Sequence, residues 1–384
     1  MNYDLTEPQQ MIKDMCRKIS EEKIKPVRAE LDEKEEFPWG PIKELAAADL
    51  LGLYIPEDLG GFGGGTLEFC LAVEEISRIC GGVGVTFAAS ALGCVPILLF
   101  GSEEQKIKYI PPIAKGETLA AFGLTEPEAG SDAAATQTTA AKHGDHYVLN
   151  GKKHFITNAG EAEIYTVIAM TDKNKGSRGA SAFIVEKGTP GFEFGKKELK
   201  LGIRCSSTRE LLFENCKVPK ENLLGKEGMG FIVAMKTLDR TRPGIAAQAV
   251  GIAQGALDES IRYAKQRLQF GKPILTLQAI QHMLANMATE VEAARALTYA
   301  VAKAIDRGEK NTSPQAAMAK LFASDVAMRV TTDAVQIFGG YGYMREYPVE
   351  KMMRDAKITQ IYEGTNQIQR NVIGLSLVKE SARQ

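Results

Sequence analysis

The spacing of apolar residues along this chain changes twice, near residue 121 and again near residue 228, so one secondary-structure class cannot account for it. The first stretch reads as helical. Thr6-Glu7-Pro8-Gln9 fits a capping box with proline in the first turn, and Ile12, Met15, Cys16 and Ile19 follow at helical spacing. A glycine-rich run from Ile55 to Gly65 predicts a loop, one able to close on something. Helical patterning resumes at Thr66 to Ile79 and again from about Ala88. Past residue 121 the segments are short and rich in β-formers: Tyr147 to Gly151, Ile164 to Met170, Ala182 to Glu186, Glu210 to Phe213. Asn-Gly, Lys-Gly and Pro-Gly pairs read as the turns between them. Helices return from Gly228. Ile245, Ala249, Ile252, Ala253, Ala256 and Leu257 mark one apolar face after Asp239–Pro243, and Ser313-Pro314 reads as an N-cap and first-turn pair. The pattern predicts an α+β chain: an N-terminal helical domain over 1–120, a middle β domain over 121–227 and a C-terminal helical domain over 228–384.

Charge narrows the function classes. With 47 Lys and Arg against 48 Asp and Glu, the net charge is −1, which argues against a nucleic-acid binder. The six cysteines form no C-x-x-C pair and read as buried thiols of a reducing compartment, and the four histidines lack metal-ligand spacing, so no metal is expected. Met1-Asn2-Tyr3-Asp4-Leu5 lacks the basic and apolar regions of a secretory signal. The most apolar stretch, Val83 to Phe100, is interrupted by glycines, a proline and small polar residues, and reads as too broken for the roughly 20 residues that span a bilayer. A cytoplasmic enzyme without membrane insertion is expected.

Four runs could carry chemistry, each with a plainer explanation. Phe122 to Asp132, at the handover from helices to strands, offers small residues and backbone donors to a ligand, or is a linking turn with Ser131 or Asp132 as a cap. Phe155 and Thr157, two apart on one strand face, could flank a planar cofactor or be a core residue beside a satisfied threonine. Asp239 and Arg242, like Arg267 to Lys272, could bind a phosphate or be surface groups. Glu363, in Ile361-Tyr362-Glu363-Gly364-Thr365-Asn366, is a candidate base or a solvated turn residue.

In this order the runs resemble the acyl-CoA dehydrogenase family over essentially the whole chain. The match is carried by Leu124-Thr125-Glu126-Pro127 with Ala129-Gly130-Ser131-Asp132, Phe155-Ile156-Thr157-Asn158, Arg267 with Gln269-Phe270-Gly271, Gln336 to Gly342, and Arg354-Asp355-Ala356 leading to Ile361–Thr365. The resemblance implies a β-barrel-like middle domain, a C-terminal four-helix bundle, a homotetramer, and FAD held between the last two domains. By matching position, Phe122, Leu124, Thr125, Phe155 and Thr157 would line the flavin. Arg267, Gln269, Phe270, Gln336, Gly340, Thr365 and Gln367 would hold its phosphates and adenine, some from a neighbouring subunit. Ser131, Asp239, Arg242, Tyr362 and Gly364 would contact the acyl-CoA.

The resemblance also implies the reaction. Glu363 removes a proton α to the thioester carbonyl while a β-hydrogen leaves as hydride to flavin N5. Two hydrogen bonds to the thioester oxygen, one from the Glu363 N–H, form an oxyanion hole. Electrons then pass to electron-transferring flavoprotein. Phe155 stands where many members have tryptophan, and Thr241 where some branches place the carboxylate, so Glu363 keeps that role. Ala169–Lys173, Phe183–Phe192 and Gly244–Gln248 look most like short-chain, butyryl-CoA-type enzymes. An enoyl-CoA or aryl-acrylyl-CoA reductase, or a dehydrogenase of cyclic acyl-CoA, is the alternative with the same site, and a partner-binding flavoprotein without catalysis is the alternative of another class.

Overall fold

The computed structural model describes residues 3–382. Met1 and Asn2, part of the stretch read for a secretion signal, lie outside them. Helices α1 (Glu7–Ile19), α2 (Arg28–Lys34), α3 (Trp39–Ala47), α4 (Thr66–Ile79), α5 (Gly81–Phe100) and α6 (Glu103–Ala114) come first. The start of α1 follows the capping box as read. The Thr6 hydroxyl accepts from the Gln9 N–H, and the Gln9 side chain accepts from the Thr6 N–H.

Helix α5 differs from the expectation. Gly81 to Phe100 forms one continuous helix, by length and composition long and apolar enough to cross a membrane. However, 78% of its most apolar window is buried inside the protein, and a helix apolar on every side is what a core position requires. The glycines read as interruptions are contact surface. A Cβ added to Gly93 would lie 2.4 Å from the backbone nitrogen of Ala121, so only glycine lets α5 lie directly on the first strand.

The middle of the chain is an eight-stranded mixed sheet, as the change of period predicts. Its strands are β1 (Ala120–Gly123), β2 (Thr139–His143), β3 (His146–Thr157), β4 (Ile164–Met170), β5 (Ala180–Glu186), β6 (Phe192–Lys197), β7 (Thr208–Pro219) and β8 (Leu223–Leu224). They run in the order β6-β7-β3-β2-β4-β5-β8, with β1 parallel to β4. Gly188 and Gly191 sit at positive φ in the connection between β5 and β6, where Lys-Gly and Pro-Gly were read as turns. Asn150-Gly151 is not a turn. It lies inside β3, where the register against β7 slips between Leu149 and Gly151. Gly151 has φ +137°, and a Cβ there would meet Thr138 Cα at 2.8 Å, so the glycine serves a bulge.

Helix α7 (Gly230–Gln266) begins well before the Pro243 that was read as its threshold. Pro243 cannot donate to the Asp239 carbonyl one turn back. Yet α7 is buried along most of its length, and tertiary packing carries it across that missing bond. A short hairpin of β9 (Leu268–Gln269) and β10 (Lys272–Pro273) leads to α8 (Gln278–Asp306), α9 (Ser313–Phe338), α10 (Pro348–Thr359) and α11 (Asn366–Ser381). Ser313 is the first residue of α9 and not its cap: its hydroxyl bonds Asp239 Oδ1 at 2.7 Å. Ala253, Met287, Val326, Ile337 and Met352 bring α7 to α10 into one core, while Val73, Phe87, Ala121 and Leu211 belong to a second that joins α4 and α5 to the sheet.

The loop after β1 is fixed to β3 by a buried ion pair. Lys153 Nζ donates to Glu126 Oε1 at 2.7 Å and to the Leu124 carbonyl at 3.1 Å. Glu126 also accepts from the N–H groups of Gln137 and Thr138. Burial pushes Lys153 down to about 8, against the pull of Glu126. Lys153→Met would strand the carboxylate, at a cost of about 3–5 kcal/mol. The expected result is a markedly lower denaturation midpoint that Lys153→Met/Glu126→Gln partly restores. Parental stability of the single variant would contradict this account of the pair.

Candidate active site

A cavity of about 310 Å³ opens where the ends of β1 and β3 meet α5, α7 and the turn between α10 and α11. Phe122, Leu124, Thr125, Phe155 and Thr157 line one side, Ser131 stands at its edge, and Arg242, Tyr362, Glu363 and Gly364 form the opposite wall. The sequence runs that were read separately therefore meet in one place.

Phe155 is set there by a second irregularity in β3. The register against β7 slips between Lys153 and Ile156, and Phe155 takes φ +58°. Strict alternation, which put Phe155 and Thr157 on one face, is broken, and Phe155, Ile156 and Thr157 all reach the cavity. The Phe155 ring is 60% exposed although the strand around it is well packed. The ring meets that of His154 at 3.8 Å between centroids and is otherwise open to the cavity, an apolar surface that a planar ligand could cover. With the apolar Phe122 and Leu124 and the hydroxyls of Thr125 and Thr157, this donor set fits the flavin of FAD, an apolar ring system with polar edges.

The remaining positions expected to hold FAD lie elsewhere. Arg267, Gln269, Phe270 and Gly340 line a shallow depression beside Tyr341, whose ring lies 5.1 Å beneath the Arg267 guanidinium. Phe270, at φ +53°, is 89% exposed. Gln336 is exposed on the last turn of α9. Thr365 caps α11, accepting from the Ile368 N–H at 3.3 Å, and Gln367 is exposed on the first turn of that helix. Arg267, Gln269, Phe270 and Gly340 thus stand apart from the first cavity, whereas Thr365 and Gln367 adjoin its Gly364 and Ile368. Among the described residues, no group of three or more His, Cys, Asp or Glu is placed to hold a metal. All six cysteines are buried and free.

Glu363 sits in a turn that its neighbours over-determine. Its φ is +51° and that of Gly364 is +91°. Gln369 Nε2 donates to the carbonyls of Glu363 (3.1 Å) and Gly364 (2.8 Å), Lys320 Nζ to Gly364 (2.9 Å), and Arg242 Nε to Glu363 (3.4 Å). Among the described residues none accepts a hydrogen bond from the Glu363 N–H. Glu363 Oε2 accepts from the Thr241 hydroxyl at 2.8 Å. That hydroxyl also lies 3.1 Å from the Thr237 carbonyl, and its one proton can serve only one of the two. Burial pushes the Glu363 carboxyl up to about 7, against the Thr241 hydroxyl and the charges of Arg242 and Lys320.

Several of these placements depart from the sequence reading. Arg242, expected at a CoA nucleotide, lines the cavity and is bonded to Asp239 Oδ1 at 2.9 Å, and Asp239 is further held by Ser313. Both groups are engaged within the protein. Thr241, weighed only as a rival position for the base, is its hydrogen-bond partner. Tyr362 is fixed through its hydroxyl on Gln248. Lys320, Asn366, Gln369 and Gln248 escape a motif reading, although a lysine on the Ala316–Ala319–Ala323 stripe of α9 is a signal in itself. A second cavity of about 270 Å³, lined by Tyr54, Leu59, Phe69, Val95 and Leu99, lies at the other side of Thr241 and takes in part of the glycine-rich loop.

The chain matches family models over its length: acyl-CoA dehydrogenase N-terminal domain over residues 6–117, middle domain over 121–216 and C-terminal domain over 228–378. It is 51% identical to a short-chain specific acyl-CoA dehydrogenase of Clostridium acetobutylicum over 374 residues, covering 97% of this chain and 98% of that protein. Its fold matches the structure of butyryl-CoA dehydrogenase from Megasphaera elsdenii with a TM-score of 0.96 at 51% identity, covering 98% of this chain and 100% of that one. A chain in a structure described as the electron transferring flavoprotein of Acidaminococcus fermentans, concerned with flavin-based electron bifurcation, matches with a TM-score of 0.96 at 56% identity, covering 98% and 99%.

Proposed function

This chain belongs to the acyl-CoA dehydrogenase family, FAD-dependent oxidoreductases of the CH–CH bond of acyl-CoA, and we propose that it oxidises short-chain acyl-CoA with Glu363 as the catalytic base. The observation that carries this reading is the carboxyl of Glu363, held by the Thr241 hydroxyl in the same cavity as the exposed ring of Phe155. An α C–H is a very weak acid, so a base of higher proton affinity and a stabilised enolate are both needed. Glu363 takes the α-proton onto its carboxylate. Its backbone N–H, left without an acceptor by the strained turn, is suited to the thioester oxygen. Phe122, Leu124, Thr125, Phe155 and Thr157 would hold the flavin of FAD, which would supply a hydride acceptor for the β-hydrogen. Thr241 donates to the ionised carboxylate, and once Glu363 carries the proton the hydroxyl is released to the Thr237 carbonyl.

Electron-transferring flavoprotein is the electron acceptor in this reading, supported by the 56% identical chain in the flavoprotein structure. The separation of Arg267, Gln269, Phe270 and Gly340 from the flavin-lining residues supports a second copy at the site, and a homotetramer is the assembly proposed. Phe270, one of that set, is 89% exposed, where another copy would complete the site. Burial of α5 argues against its use as a membrane span, and the cytoplasm is the compartment proposed.

The test is an anaerobic panel of straight, branched, dicarboxylic, cyclic and aryl acyl-CoAs added to the holoenzyme, with flavin absorbance as the readout. Butyryl-CoA is expected to bleach the flavin most rapidly. Bleaching only by cyclic or aryl thioesters would overturn the short-chain assignment, and no bleaching by any of them would overturn catalysis.

A further inference from the structure

Lys320 sits where a charged side chain is least expected. It lies among Ala316, Ala319, Ala323 and Ala327 of α9, and its side chain has no exposed surface. A buried amine is unfavourable unless its donors are used. Its Nζ donates to the Gly364 carbonyl and to Asn366 Oδ1, both at 2.9 Å. Asn366 Nδ2 in turn donates to Ser324 and Asp325 on the same helix, at 2.9 and 2.7 Å. One face of α9 therefore grips the chain on both sides of Thr365, immediately after a left-handed glutamate, a conformation that persists only when the surroundings over-determine it.

Asparagine or glutamine could supply such donors without a charge, so the charge needs its own account. Burial takes Lys320 down to about 7, with Glu363 and Asp325 opposing and Arg242 adding to the shift. The charged groups facing the pair are Arg242 of α7 with Asp239 behind it, and Asp325 of α9 itself, paired with Arg370 of α11 at 3.2 Å. Lys320 in turn favours the ionised form of Glu363.

We propose that Lys320 is a positioning residue for α-proton transfer: it clamps Gly364 and Asn366 so that the carboxylate and N–H of Glu363 keep their aim, and its charge steadies the ionised base. This rests on Glu363 being the base.

The test uses holoenzyme of Lys320→Met and Asn366→Ala. Anaerobic flavin reduction by butyryl-CoA is read per bound flavin. Ultraviolet absorption of a bound 3-oxoacyl-CoA, whose acidic α-carbon reports enolate formation without turnover, is the second readout. Misplacement of reacting groups by about 1 Å can cost on the order of 10²-fold in rate. Lys320→Met is expected to lose rate on that order at nearly unchanged substrate affinity, to form less enolate, and to move the acid limb of the rate upward by roughly one pH unit. Asn366→Ala keeps the charge, so it should lose rate without moving that limb. Parental rate and pH profile in Lys320→Met, or a loss confined to melting temperature and flavin content, would overturn the proposal. If Lys320→Met yields no holoenzyme, Asn366→Ala decides alone, and a parental rate there overturns the clamp. Glu363→Gln is measured alongside: if it still reduces flavin, the base assignment fails, whereas a dead Glu363→Gln beside a normal Lys320→Met sinks only the role of Lys320.

Discussion

Glu363→Gln is expected to retain FAD and bind acyl-CoA, yet to lose flavin reduction by on the order of 10²- to 10⁴-fold, the range typical of removing a positioned general base. Glutamine keeps the shape, and its amide oxygen can still accept from the Thr241 hydroxyl, so the turn has no reason to move. Only the capacity to take a proton is gone. The same substitution should change the pH profile. With the carboxyl raised to about 7 by burial, the parental rate at low substrate should fall as pH drops below that value, because the protonated form is no base. The sign for stability is the opposite. A raised carboxyl means that the folded state holds the proton more firmly than the unfolded chain, so the fold loses stability as pH rises from the ordinary carboxylate range to about 7, with no further loss above it. Glu363→Gln should therefore melt above the parent at pH 8 and close to it at pH 4.

Gly364→Ala should be the second most damaging change. Gly364 has φ +91°, a region that any Cβ disfavours, and the added carbon would meet Gln369 Nε2 at 2.8 Å. That nitrogen holds the carbonyls of both Glu363 and Gly364, so the strain falls on the element that aims the base. The backbone cost is on the order of 1–3 kcal/mol, tolerable for a protein with this much buried core. The rate should suffer more, on the order of 10²-fold, through loss of aim. Stopped-flow reduction per bound flavin separates the two effects. A parental rate with a lowered melting temperature would mean that the turn has only a structural part.

Much of the fold follows from period alone. Helices α1 and α4, the strands around Ile164 and Ala182, and the return of helices past Gly228 are where apolar spacing places them. The departures share one cause: local punctuation overridden by packing. Gly84 and Gly93 look like helix breakers until the missing Cβ atoms are seen to make room for Ser77 of α4 and for β1. Asn150-Gly151 looks like a turn but is a bulge, because the partner strand β7 is long enough to continue past it. Pro243 looks like a helix start because its missing donor is a local fact, while the burial that compensates is not. The site divides in the same way. Phe122, Thr125, Phe155, Thr157 and Glu363 stand in contiguous runs and were legible as motifs. Thr241, Lys320 and Gln369 act through side chains that meet only when α7, α9 and α11 are packed, as do the bonds of Arg242 to Asp239 and to the Glu363 carbonyl.

The central claim is that Glu363 removes the α-proton of a short-chain acyl-CoA. Its most direct test is anaerobic rapid mixing of parental and Glu363→Gln holoenzyme with butyryl-CoA and with its α-dideuterated form. Flavin reduction by the parent should slow clearly with α-deuterium, and the glutamine variant should not bleach with either thioester. Bleaching of that variant at a rate comparable to the parent, with the isotope effect intact, would show that another group takes the proton.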